Sequence, residues 1–101
     1  MTQHRLKTWT IFFNQVVQGS KTFEIRLNDR NFKIGDTLLL MEYDPLKKAV
    51  KNRTFAVKVT YILSLKCFLD IKGWRWQIAR VIVPDLVVMA IQPISSQTDT
   101  L

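Results

Sequence analysis

The stretch Trp9-Thr10-Ile11-Phe12-Phe13-Asn14-Gln15-Val16-Val17-Gln18-Gly19-Ser20-Lys21-Thr22-Phe23-Glu24-Ile25-Arg26-Leu27 changes its hydrophobic period once, and that change decides the fold. Before the glycine, Trp9, Phe12, Phe13, Val16 and Val17 recur at i, i+3, i+4, i+7 and i+8, the apolar stripe of an amphipathic helix. Thr10, Asn14, Gln15 and Gln18 take the opposite face. Thr8 stands where its hydroxyl can cap the first turn, and Gly19 where a left-handed residue ends the last one. The spacing predicts a helix over 9–18, packed on a sheet, with Trp9 in the core. After the glycine the period is two. Phe23, Ile25 and Leu27 alternate with Thr22, Glu24 and Arg26, as in a half-buried strand whose polar face carries Glu24 and Arg26.

Working outward, His4 to Lys7 reads as a short extended lead-in, with His4 a strand-start residue making a backbone or turn contact. Asn28-Asp29-Arg30-Asn31 and Ile34-Gly35-Asp36 are turn chemistry, and they feed a strand over Thr37 to Tyr43 that Asp44-Pro45 closes. Leu46 to Asn52 reads as a basic connection. Arg53 to Leu63 alternates again, with Phe55, Val57, Val59, Tyr61 and Leu63 on one side, forming a long hairpin. Ser64 to Trp74 carries no period, Trp76 to Val83 reads as a further strand, and Leu86 to Gln92 as a buried one. One early helix followed by strands in hairpin order predicts an α+β domain, a small, partly closed β-barrel with one N-terminal side helix. Residues 1–93 form the single expected domain, and 94–101, rich in Ser, Thr and Gln, a flexible C-terminal tail.

The 101 residues are 48% hydrophobic, enough for one core and far from the composition of disordered chains. A single cysteine, Cys67, and a single histidine, His4, exclude an internal disulfide framework and a structural zinc site, so no metal and no cofactor is expected. Cys67, beside Phe68 and Leu69, reads as a small buried apolar residue. Three glycines make no phosphate-cradling loop. The apolar runs fall far short of the roughly 18 residues of a membrane span, and residues 1–18 show no signal-peptide pattern. A cytoplasmic, monomeric protein is expected, without a membrane partner. The net charge is +7, and from Pro45 to Pro84 nine basic residues face one acid, Asp70, a local excess of +8. Such a surface draws polyanions, nucleic acid first among them.

The run Gly19-Ser20-Lys21-Thr22-Phe23-Glu24-Ile25-Arg26, set directly after an amphipathic helix, resembles the Gly-x-Lys-x-x-Glu-x-Arg signature of the ASCH domains in the PUA-like superfamily. His4 to Lys7, Asn28 to Asp36, Leu40 to Asp44 and Val59 to Leu63 resemble an uncharacterised ASCH subgroup associated with phages and bacteria. The likeness covers roughly residues 4 to 63. It implies a PUA-like β-barrel with a pocket beside the helix, in a fold whose members bind RNA or modified nucleobases.

From the residues themselves, Lys21 at the helix-to-strand junction and Glu24 and Arg26 on one strand face supply a cation, a carboxylate and a guanidinium. That set suits a ligand with an anionic group and a hydrogen-bonding edge, such as a nucleotide. The structural alternative is that Glu24 pairs with Arg26 or Lys21 and steadies the sheet. The expected binding residues are Lys21, Thr22, Glu24 and Arg26, helped by Arg30 and Tyr43, with Arg53, Lys58, Arg75 and Arg80 as a wider electrostatic track and Trp74 and Trp76 as candidate stacking platforms. RNA or a nucleotide-like ligand is the expected partner. A second class is an amidohydrolase acting on an N-acylated cytidine, because one branch of the ASCH superfamily has that activity. In that branch a lysine acts with a threonine three positions later and a glutamate from a later segment. Lys21 matches the lysine, but Glu24 stands at the threonine's place, Thr22 is only a neighbour, and no Glu follows Glu42, leaving Asp70 as a shorter stand-in. A lysine acting as nucleophile or base must shed its proton, which a neighbouring carboxylate opposes. The expectation therefore leans away from catalysis. A third class, a basic face for an acidic protein, differs from the first in leaving a short RNA unbound at moderate salt.

Overall fold

His4, Leu6 and Thr8 turn inward while Gln3, Arg5, Lys7 and Trp9 turn out, so the lead-in is itself a strand, β1 (Gln3–Trp9). The computed structural model describes residues 1–66 and 85–94. After β1 come α1 (Thr10–Gln18), β2 (Phe23–Leu27), β3 (Thr37–Asp44), β4 (Ala49–Ser64) and β5 (Leu86–Pro93). They form one helix and one curled, five-stranded half-barrel sheet in the order β1-β3-β4-β5-β2. This is the expected α+β class, but not simple hairpin order. β3, β4 and β5 run antiparallel in sequence, whereas β1 joins β3 in parallel and β2 leaves its neighbour in the chain to pair with β5. Parallel pairing needs a long crossover, which α1, β2 and the turns after it supply. The expected strand over Trp76–Val83 lies outside the described residues, as do Cys67, Phe68, Asp70, Trp74, Arg75, Arg80 and residues 95–101.

The core lies between the sheet and α1. Phe13 and Val16 of the helix pack with Leu6, Leu38, Leu40, Phe55, Val57 and the inward residues of β5, Val87, Met89 and Ile91. The first correction concerns the junction of β1 and α1. Trp9 and Phe12 are not core; they are 51% and 41% exposed. Trp9 is the last residue of β1 and precedes the first helical turn with φ −54° and ψ 143°, so the two-residue period of the strand places it outward beside Lys7. Thr8 does not cap the helix. It is buried on the inner face of β1, where its hydroxyl donates to Leu6 O.

The second correction concerns β2, which alternates as expected with its faces exchanged. Glu24 is 3% exposed, while Phe23, Ile25 and Leu27 are half-exposed. Register sets this. Glu24 pairs with Met89 and Arg26 with Val87, the inward residues of β5, and a slip of one residue would exchange the two sets. The third concerns β4, which begins at Ala49 inside the expected basic connection. Its alternation is interrupted by a bulge between Val59 and Tyr61, so Tyr61 is exposed and Ile62 packs on the core instead.

The end of α1 conforms to the sequence. Gly19 lies at φ +87°, its N–H donating back to Gln15 O and Val16 O, while Ser20 and Lys21 donate to Gln15 O. A Cβ there would meet nothing within 4 Å, so Gly19→Ala tests backbone conformation alone. It is expected to cost about 1 kcal/mol and lower the melting temperature by roughly 4–8 °C. An unchanged melting temperature would show that the left-handed turn is not needed there.

Candidate functional site

The edge strands of the half-barrel, β1 and β2, are joined by side chains where a closed barrel would have backbone hydrogen bonds. Arg26 of β2 reaches across the seam and its guanidinium donates to Lys7 O at 2.9 Å and Thr8 Oγ1 at 3.2 Å. Arg30, in the turn after β2, does the same one step along and donates to Arg5 O at 2.7 Å. Arg5 and Lys7 are two apart on a strand whose other edge is paired to β3, so their carbonyls point from its open edge. Two guanidinium groups thus satisfy acceptors that no strand among the described residues covers.

Arg26 is held in turn by Glu24. Its Nε donates to Glu24 Oε2 at 2.9 Å, and Lys21 Nζ donates to Oε1 at 2.7 Å, so one buried carboxylate bridges both cations. The ion pair weighed as the structural alternative is therefore present, with both partners at once. Lys21 also donates to Phe23 O at 2.7 Å and lies 4.9 Å from the Phe23 ring centre and 5.7 Å from that of Phe12. Its side chain is 15% exposed. An ammonium has three N–H donors, and two are engaged.

Above this seam opens a groove of about 650 Å³. Lys7, Thr8 and Trp9 line it from β1, Phe12 and Gln15 from α1, and Lys21, Glu24 and Arg26 from the junction and β2. The indole of Trp9 and the ring of Phe12 lie nearly parallel, 18° apart, with centres 6.0 Å apart. Of the expected residues, the structure brings Lys21, Glu24 and Arg26 together here. Thr22 is exposed and its carbonyl accepts from Ile91 N–H at 3.0 Å. Tyr43 lies under Lys7, whose Nζ is 5.2 Å from its ring centre. Arg53 donates to Glu42 Oε1 at 2.8 Å and to Asn14 on α1. Lys58 is paired with Thr37, at the far end of β3 from Tyr43. Arg75 is among the residues outside the description. Trp9, Phe12 and Lys7 went unrecognised because a helical stripe assigns the two rings to the core.

Two further buried acids brace the frame. Asp36 Oδ2 accepts from His4 Nε2 at 2.8 Å and Lys33 N–H at 3.0 Å, and Oδ1 from Thr2 N–H at 3.2 Å. Burial pushes the Asp36 carboxyl up, but these hydrogen bonds outweigh it and hold it below its ordinary value. His4, edge-on to Phe32 at 4.7 Å, faces this network rather than the groove. The hydrogen bond from Arg53 holds the Glu42 carboxyl below its ordinary value against the opposing effect of burial.

The model of a domain of unknown function, DUF3850, matches residues 3–74. The chain belongs to the DUF3850 family. Its match covers β1 through β4 and so includes every residue named in the groove. This DUF3850 chain is also 30% identical over 88 residues to an uncharacterized 12.9 kDa protein in the GpA 3′ region of Escherichia phage P2, covering 87% of this chain and 79% of that one. Among solved structures it is similar to a ZmASCH mutant protein from Zymomonas mobilis, with a TM-score of 0.57, 13% identity, and coverage of 93% of this chain and 76% of that one. It is also similar to the hypothetical protein PH0355, with a TM-score of 0.55, 20% identity, and coverage of 93% and 100%. The fold of this DUF3850 chain is that of the ASCH, PUA-like domains. No helix among the described residues is long and apolar enough to cross a membrane.

Proposed function

We propose that the groove over the β1–β2 seam binds RNA or a nucleotide-like ligand, with a base on Trp9 and Phe12 and an anionic group near Lys21, Arg26 and Lys7. The observation that carries this reading is the exposed aromatic pair. Trp9 and Phe12 are 51% and 41% exposed and stacked within a groove that three cations line. An aromatic face open to solvent beside Lys and Arg is the chemistry by which single-stranded nucleic acid is held. Glu24 neutralises one of those charges, leaving a groove of net positive sign. In this role the remaining N–H of Lys21 meets a phosphate or a base carbonyl. Glu24 orients the two cations, and each of its oxygens keeps a lone pair that can accept from a base amine.

The test is an anisotropy titration of labelled single-stranded RNA and the matching DNA at two salt concentrations, on the parent and on Trp9→Ala. Trp9 makes no hydrogen bond among the described residues beyond those of its strand, so its removal is expected to leave the fold intact. Loss of one stacking contact, about 1–3 kcal/mol, is expected to weaken RNA binding roughly 5- to 150-fold. Undiminished binding by Trp9→Ala, or none by the parent at low salt, would overturn the reading.

A further inference from the structure

We propose that the arm formed by the end of β3 and the start of β4, residues 44–52, continues the surface of the groove and takes the phosphodiester backbone of the strand whose base stacks on Trp9. The ligand is then an oligonucleotide chain rather than a free nucleotide. The inference rests on the groove reading and deepens it. Register gives the position: Trp9 pairs with Tyr43, Tyr43 with Val50, and Asp44 with Ala49, so the arm projects past the sheet at the groove's own end. Lys7, which lines the groove, lies over Tyr43 at the root of the arm.

The arm carries unneutralised positive charge. Lys47, Lys48 and Lys51 are all exposed. The one acid on the arm, Asp44, uses Oδ1 to accept from Leu46 N–H at 2.9 Å and Lys47 N–H at 3.3 Å, which shapes the turn. Among the described residues neither Lys47 nor Lys48 has an ion-pair partner, and Lys51 reaches Glu42 only at 4.0 Å. Lys48 holds the turn at φ +51°, a conformation set by the backbone around it and not by its side chain.

The arm is also fixed relative to the groove. Between Met41 and Tyr43 the register shifts, so that Val50 and Thr54 on β4 oppose positions only two apart on β3, and such a bulge bends a strand. Arg53 sits at this bulge. Its pair with Glu42 and its bond to Asn14 tie the root of the arm to α1, and its guanidinium lies 4.9 Å from the centre of the Phe13 ring. Arg53 is thus a bracket for the arm rather than a phosphate contact. Lys58, six residues along the ladder from Tyr43, is about 20 Å away and outside this surface.

The experiment compares a nucleoside monophosphate with a single-stranded RNA of about eight nucleotides, a length within the range one small barrel covers. Binding of both is measured across a salt series on the parent, on Lys47→Ala/Lys48→Ala, on Lys58→Ala and on Trp9→Ala. The double variant is expected to lose affinity for the oligonucleotide, with the salt slope reduced by about 1.4, and to bind the monophosphate as the parent does. Lys58→Ala is expected to match the parent on both. An unchanged slope in the double variant, an equal loss on the monophosphate, or an equal effect of Lys58→Ala would overturn the proposal. If Trp9→Ala leaves oligonucleotide binding intact while the double variant weakens it, the groove reading fails and the arm alone stands. A parent that binds neither ligand sinks both.

Discussion

Glu24→Gln is expected to lower the melting temperature by roughly 12–24 °C, the largest effect of any single conservative change at the seam. The side chain keeps its size and loses its charge. Lys21 and Arg26 then share an amide whose oxygen can accept from one of them while its NH2 faces the other donor. Removing one member of a buried ionic cluster costs about 3–5 kcal/mol, and the partial exposure of Arg26, 26%, puts this case near the lower figure of about 3. The loss spreads because Arg26 also closes the seam onto Lys7 O and Thr8 Oγ1. Lys21→Met tests the coupling: added to Glu24→Gln, it removes one stranded cation and is expected to cost less than it does in the parent. Strict additivity of the two changes, or a Glu24→Gln variant that melts with the parent, would show that the carboxylate does not hold the seam.

At Asp36 the expected result is a stability that collapses in acid and a variant in which that acid limb is flattened. The folded-state carboxyl lies below its ordinary value. Its contribution is therefore fully present above the unfolded value of about 3.9 and is lost as the pH falls through the lower folded value. Glu42 acts in the same direction through its bond from Arg53. Asp36→Asn keeps the shape but offers fewer acceptor sites to Thr2 N–H, Lys33 N–H and His4 Nε2, and a buried donor left unpaired costs about 1–3 kcal/mol. A loss of about 2 kcal/mol at pH 7 is expected, narrowing towards zero in acid, read from urea unfolding across the pH range. Parallel curves for parent and variant would show that Asp36 is not the titrating brace.

The candidate site was legible in part. The spacing Lys21, Glu24, Arg26 put a cation at a junction and an acid and a guanidinium on one strand face, and the structure brings these three side chains together. The aromatic half was missed for a definite reason. Trp9 is apolar and falls at a helical spacing from Phe13 and Val16, yet it belongs to β1, whose period of two turns it outward. Arg30 and Arg53 could be read from sequence only as positive charge. In the fold Arg30 satisfies an open strand edge and Arg53 brackets the arm, roles that depend on partners 25 and 39 residues away.

The sequence by itself determined what depends on neighbouring residues: the helix and its glycine end, the alternation of β2, the presence of strands at β3 and β5, the turn at Ile34-Gly35-Asp36, and an α+β barrel as the class. Local sterics and periodicity set these, and they are complete within a few residues of chain. Tertiary structure alone decided which face of β2 is buried, that β1 joins β3 in parallel, and which cations are held by buried carboxylates. Side-chain hydrophobicity favours burying Phe23, Ile25 and Leu27. Pairing with β5 instead turns Glu24 and Arg26 inward, where hydrogen bonds from Lys21 and Arg26 to the carboxylate, and from Arg26 to the edge of β1, offset the cost of desolvating the charges. That balance is struck between strands distant in sequence, and no window along the chain contains both sides of it.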